Sequence, residues 1–103
     1  MINSTTMPVK VLIVDDHEVV RVGLQTVLSR QSSIHVVGEA ATVEDAIREA
    51  CDLNPDVVLM DVRLSGGSGV DACRAIRSSC PNTRVLFLTS YQDDEAVLAA
   101  VIG

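Results

Sequence analysis

Three short stretches of the chain are apolar at every position: Val11-Leu12-Ile13-Val14, Val57-Val58-Leu59-Met60 and Val85-Leu86-Phe87-Leu88. A strand with one face in water alternates apolar and polar residues. A run that does not alternate is buried on both faces, and sheets buried on both faces are mostly parallel, with helices above and below. A weaker run, Ile34 to Gly38, is broken by His35. One polar position suits a strand at the edge of the sheet.

Helical patterns fill the gaps. From Glu18 to Arg30, the residues Val20, Leu24, Val27 and Leu28 fall on one face at 3.6-residue spacing. Thr42-Val43-Glu44-Asp45 resembles a capping box with Asp in the acidic place. It opens a helix carrying Ala46, Ile47 and Ala50 that must stop before Pro55. Ser68-Gly69-Val70-Asp71 is a similar device, opening a helix with Ala72, Cys73 and Ile76 that stops at Pro81. Asp93-Asp94-Glu95 leads into a fourth helix from Ala96 to Ile102, with acids placed to favour its dipole. The order βαβαβαβα predicts an α/β fold. The 103 residues suffice for one small domain. Residues 1–8 are expected as a flexible leader and residues 9–103 as the domain.

Two aromatic residues, Phe87 and Tyr91, force an aliphatic core. The formal net charge of -6 argues against the chain itself gripping nucleic acid through phosphates, and suits a divalent cation or a basic partner. Cys51, Cys73 and Cys80 do not make a disulfide framework and read as small buried hydrophobes. Reduced thiols and the absence of a signal peptide fit the cytoplasm. No apolar run is long enough to span a bilayer, so no membrane role is expected.

Each central run ends in polar chemistry: the first at Asp15-Asp16, the second at Asp61, the third at Thr89-Ser90. Helical crossovers require parallel strands, which gather all these groups at one sheet edge. Adjacent strands lie about 4.8 Å apart, so Asp16 and Asp61 can share an ion if their strands are neighbours. Two carboxylates about 4.5 Å apart repel by roughly 4 kcal/mol at an effective dielectric near 20. Protonation or a cation relieves this. Three acids form a hard, all-oxygen site suited to Mg²⁺ or Mn²⁺. The bland alternatives are helix-capping acids for Asp15-Asp16, a turn residue for Asp61, and a turn or cap for Thr89 and Ser90. His17 is expected to be exposed in the first helical turn rather than a ligand. Carboxylates, a metal and a hydroxyl together suggest phosphoryl chemistry with an Asp nucleophile.

The stretches VLIVDDHEVVRVGL, VVGEA, PDVVLMDVRLSGGSGVDACRAIR and RVLFLTSY, in this order, resemble the receiver domain of a bacterial two-component response regulator. DDHEVVRVGL is similar to the NarL/LuxR-type subfamily. The resemblance runs from about Val9 to Gly103. It implies a flavodoxin-like (CheY-like) doubly wound parallel sheet of order 2-1-3-4-5. It implies Asp61 as phosphoacceptor, Asp16 as a direct Mg²⁺ ligand, Asp15 as a helper through water, the backbone carbonyl of Arg63 as a further ligand, and Thr89 as hydrogen-bond partner of the phosphoryl group and switch. The implied partners are a sensor histidine kinase, a C-terminal helix-turn-helix domain that supplies DNA binding, and a second copy in a homodimer. The implied activity is limited to slow self-phosphorylation and autodephosphorylation.

The departures are specific. The family's phosphate-pairing lysine follows a fifth strand. Lys10, the one lysine here, precedes the first strand and cannot serve. The fifth strand and last helix have no counterpart, so a chain truncated before that strand is expected, with the edge at Val85 to Leu88 open to pairing. Ser65 stands where the family usually has proline; with Gly66, Gly67 and Gly69 beside it, the loop after Asp61 is expected to be looser. Two rival readings are a receiver-like interaction module that is never phosphorylated and a Mg²⁺-dependent phosphohydrolase. Hydrolases of that kind carry Asp-x-Asp after the first strand, whereas the acids here are adjacent.

Overall fold

A computed structural model of the chain describes residues 7–64, 66–88 and 100–101. In chain order the elements are β1 (Val9–Val14), α1 (Glu18–Leu28), β2 (Ile34–Ala40), α2 (Val43–Leu53), β3 (Val57–Asp61), β4 (Arg63–Leu64), β5 (Gly67–Ser68), α3 (Gly69–Ser79), β6 (Arg84–Leu88) and β7 (Ala100–Val101). The main sheet has the order β2-β1-β3-β6-β7, and its first four strands are parallel. The three all-apolar runs are therefore β1, β3 and β6, in the middle of the sheet. β2, with its exposed His35, forms one edge.

Alternation along the buried strands assigns the two faces. Leu12, Val14, Val58, Met60 and Val85 join Ala46, Ala50, Ala72 and Ile76 in one cluster beneath α2 and α3. Ile13 is fully buried on the opposite face, where α1 lies against β1 and β2. That second layer is thin: no residue of α1 is fully buried, and Val20 and Val27 are 39% and 55% exposed.

The helix starts follow the expected local chemistry. Thr42 Oγ1 accepts from the Asp45 amide at 3.1 Å, and Ser68 Oγ accepts from the Val70 amide at 3.0 Å. Asn54 closes α2 in the left-handed region, with φ 50°, one residue before Pro55.

Two features depart from the sequence expectation. The loop after Asp61 folds into a short antiparallel pair, with Arg63 opposite Ser68 and Leu64 opposite Gly67. Gly66 and Gly67 take φ +90° and +148°, which only glycine adopts cheaply, so the glycines shape a defined turn. Ser65 lies outside the described residues. The second departure corrects the fourth helix. Ala100 and Val101, expected near its end, are a strand antiparallel to Phe87 and Leu86. A bare edge on β6 leaves backbone donors and acceptors unpaired, and Ala100-Val101 of the same chain pairs with it. β7 lies at the edge of β6 where the resemblance implies a parallel fifth strand; the rest of the expected helix, Ala96 to Ala99 and Ile102, lies outside the described residues.

Gly69 shows how tightly α3 seats against the end of β3. A Cβ added there would stand 2.5 Å from the Asp61 carbonyl oxygen and 2.8 Å from that of Val62. Its amide donates to the Val62 carbonyl at 2.7 Å. Nothing comparable surrounds Gly23, in the middle of α1, where an added Cβ meets no atom within 4 Å. Gly69→Ala is expected to lower stability by about 1–3 kcal/mol in urea unfolding through this clash. Gly23→Ala should raise it by about 0.5–1 kcal/mol through helix propensity. Equal effects of the two substitutions would contradict the close packing at Gly69.

Candidate functional site

The register of β1 against β3 builds the site. Val14 pairs with Met60, so the next residues, Asp15 and Asp61, emerge level with each other from adjacent strands. The Asp15 amide donates to the Ala40 carbonyl at 3.0 Å and continues the β1–β2 ladder one step past the strand. Both carboxylates are buried, at 5% and 7% exposure; Asp16 is more open. Asp15, Asp16, His17 and Asp61 can each offer one ligand atom within 4.8 Å of the others. The expected convergence of three acids on one sheet edge is therefore present.

His17 was not expected in this group. It is exposed, as the sequence suggests, but it stands at the N-cap of α1 with extended backbone. Its ring Nδ1 lies 2.8 Å from Asp15 Oδ1 and 3.0 Å from Asp16 Oδ1. Its backbone amide donates to the same Asp15 oxygen at 2.8 Å. The hydrogen bond to Asp15, then the charges of Asp16 and Asp15, raise its pKa above 6.5. When protonated, the ring partly offsets the local negative charge.

Asp61 has an unfavourable setting for a carboxylate. Burial, and next the negative charge of Asp15, push its pKa up; the Arg63 amide opposes this by donating to Asp61 Oδ1 across a long 3.4 Å. Arg63 itself lies in β4 with its side chain exposed. Thr89 and Ser90 fall outside the described residues. Lys10 is the second residue of β1 rather than preceding it, and lies at the end of the strand away from the acids.

Arg21 is a residue the sequence did not single out. One guanidinium nitrogen donates to the Asp15 backbone carbonyl at 2.7 Å, and Nε pairs with Glu39 at 2.9 Å. It bridges the end of β2, the acid loop and α1. A basic residue flanked by Val20 and Val22, one turn into the helix, was the available signal for both this tie and the burial of its stem.

The donor chemistry fits a hard divalent cation. Three carboxylates supply oxygen ligands and strong negative potential, and two of them are held by backbone ladders rather than by flexible loops. One imidazole at the rim adds a nitrogen donor.

The comparisons agree with this geometry. Residues 11–102 match the family model described as response regulator receiver domain. The chain is 47% identical over 95 residues to the response regulator protein VraR of Staphylococcus saprophyticus, covering 92% of this chain and 46% of the relative. It is 48% identical over 95 residues to the DNA-binding transcriptional activator DevR/DosR of Mycobacterium tuberculosis, covering 92% and 44%. The chain thus spans about half the length of these relatives. Among solved structures, the receiver domain of the response regulator NarL from Mycobacterium tuberculosis superposes with a TM-score of 0.78 at 35% identity, covering 86% of this chain and 72% of that one. A LuxR-family regulator from Aurantimonas gives 0.77 at 36% identity, covering 82% and 61%. The paired acids after β1, the single acid closing β3 and the parallel order β2-β1-β3-β6 have one common explanation: this chain belongs to the receiver domains of two-component response regulators, of the NarL/LuxR type.

Proposed function

We propose that the chain is a phosphoacceptor switch in which Asp61 takes a phosphoryl group from a phosphohistidine of a sensor kinase. The observation that carries this reading is the approach of Asp15, Asp16 and Asp61 ligand atoms to within 4.8 Å at the carboxyl edge of the sheet. One Asp61 carboxylate oxygen attacks the phosphorus as the bond from phosphorus to the donor nitrogen breaks, and the product is an acyl phosphate on Asp61. Asp16 would hold Mg²⁺ directly, Asp15 would do so through water, and Asp61 and the Arg63 carbonyl would complete the protein's ligands. Bound Mg²⁺ supplies charge neutralisation at the phosphoryl oxygens. Arg21 and His17 keep the Asp15-Asp16 turn in place. The Thr89 hydroxyl would hydrogen-bond the phosphoryl group and change position on activation. The turnover is slow self-phosphorylation and autodephosphorylation, as fits a signalling switch rather than an enzyme with a substrate pocket.

The relatives extend the proposal to the whole protein. DevR/DosR is described as a DNA-binding transcriptional activator, and one solved structure similar to this chain, at 27% identity and a TM-score of 0.75, is a complex of the regulator RcsB with DNA. By analogy the receiver controls a helix-turn-helix output domain beyond this segment, acts as a homodimer, and works in the cytoplasm. DNA binding then resides outside the acidic receiver, whose formal net charge is -6. Among the described residues no helix is long and apolar enough to cross a membrane.

Three outcomes test this. A small acyl-phosphate donor with Mg²⁺ should label the chain stoichiometrically, with slow decay and loss of label in Asp61→Asn. Rapid multiple turnover would favour a hydrolase, and absence of label a silent interaction module. In thermal unfolding, Mg²⁺ at about 100-fold its Kd should stabilise the wild type by about 2.7 kcal/mol. Asp16→Asn should lose most of that gain; an undiminished gain would place the ion elsewhere. The third outcome concerns pH without metal. Because folding raises the Asp61 pKa above its ordinary 3.8, the chain is favoured below the unfolded pKa and loses stability as pH rises through the folded value. Asp61→Asn should therefore match the wild type near about pH 3 and exceed it near about pH 7. A variant less stable than wild type at neutral pH would contradict the strained carboxylate.

A further inference from the structure

The edge of the sheet remote from the acids brings two of the three cysteines together. Cys51 lies in the last turn of α2 and is exposed; Cys80 caps the C-terminus of α3 and is half-buried. Although 29 positions apart in the chain, their sulfurs stand 4.0 Å from each other. The Cys80 thiol also faces the Ala50 carbonyl at 3.8 Å. It has a single hydrogen, so it donates to one of the two at a time. A disulfide needs sulfurs about 2.05 Å apart. Closing the gap calls for rotation about two short side chains, and at Cys80 the backbone has already left the helix, with φ -131° and ψ 76°. α2 and α3 pack against one another over the same core, so their ends are held in register.

We infer that Cys51 and Cys80 form a reversible intramolecular disulfide when the chain meets a low-molecular-weight disulfide. The exposed Cys51 gives up its proton to solvent and its thiolate attacks one sulfur of the small disulfide, releasing one small thiolate and leaving a mixed disulfide. Cys80 then loses its proton and attacks Cys51 Sγ, expelling the second small thiolate. Two protein thiols are oxidised to one disulfide, and one small disulfide is reduced to two thiols. Burial, then the neighbouring Cys51 thiol, push Cys80 above its ordinary range, which leaves the exposed partner as the first attacker. The bond ties the ends of α2 and α3 together, a constraint that a reductant removes. Cys73 sits further back in α3 and packs against the core.

Arg48, Arg63, Arg74, Arg77 and Arg84 separate the three cysteines onto different tryptic peptides, so the linkage can be read directly. The folded chain is incubated with oxidised glutathione, alkylated, digested without reductant and weighed by mass spectrometry. The expected product has lost two hydrogens, carries no glutathione, and yields one linked peptide pair containing Cys51 and Cys80. Dithiothreitol should restore both thiols, and Cys73→Ser should leave the linkage intact. Cys80→Ser should stall as a glutathione adduct at Cys51. A wild-type chain that ends as the Cys51 adduct, links through Cys73, cross-links to a second copy, or does not react would overturn the pairing. The wild-type peptide map decides this even if a serine variant folds poorly.

Discussion

The parallel register of β1 and β3 is the constraint on which the site depends. It brings Asp15 and Asp61 level with each other and buries both. Carboxylates this close repel, and burial removes the water that would screen them. The fold holds them because the burial of Leu12, Ile13, Val14, Val58 and Met60 fixes the strands. Two other contacts then lock the ends. Gly69 lets α3 start against the Asp61 and Val62 carbonyls, and Arg21 fastens the Asp15 carbonyl to α1 and to Glu39. The apolar runs thus supply the energy that keeps an electrostatically unfavourable cluster assembled.

The two edges of the sheet divide the work. At the carboxyl edge, side chains carry charge and accept few bonds from the backbone. At the amino edge, Asp56 and Thr83 tie neighbouring segments together. The Asp56 carboxylate accepts from the Lys10 amide, its own amide donates to Lys10, and its carbonyl accepts from Arg84. Buried Thr83 donates to the Pro55 carbonyl at 2.8 Å. Two acids of one chain, Asp56 and Asp61, flank and close β3 in opposite settings: Asp56 is exposed and accepts from an amide at 2.8 Å, whereas Asp61 is buried and accepts from the Arg63 amide across 3.4 Å.

Much of this was legible in the sequence. Unbroken apolar runs announced a doubly covered parallel sheet, and the parallel rule alone carried Asp15, Asp16 and Asp61 to one edge. Thr42 and Ser68 marked their helix starts because a hydroxyl at that place has one obvious partner. What was hidden depends on side-chain direction or on edge chemistry. Nothing in the letters aims the His17 ring back at the two acids, or sends Arg21 to a carbonyl six residues earlier. The glycines after Asp61 suggested slack, yet positive φ at Gly66 and Gly67 is what a tight antiparallel turn needs. Ala100-Val101 carried a helical pattern, but the open edge of β6 offered pairing that local propensity does not register. The sulfur pair of Cys51 and Cys80 depends on how two helices end, which spacing along the chain does not reveal.

The most direct measurement is anomalous diffraction from crystals of this chain grown with Mn²⁺, which substitutes for Mg²⁺ at oxygen sites and scatters anomalously. The account predicts one strong peak in contact with carboxylate oxygens of Asp16 and Asp61 and beside Asp15. A peak coordinated by other residues, with density at these three acids explained by protein and water alone, would contradict it.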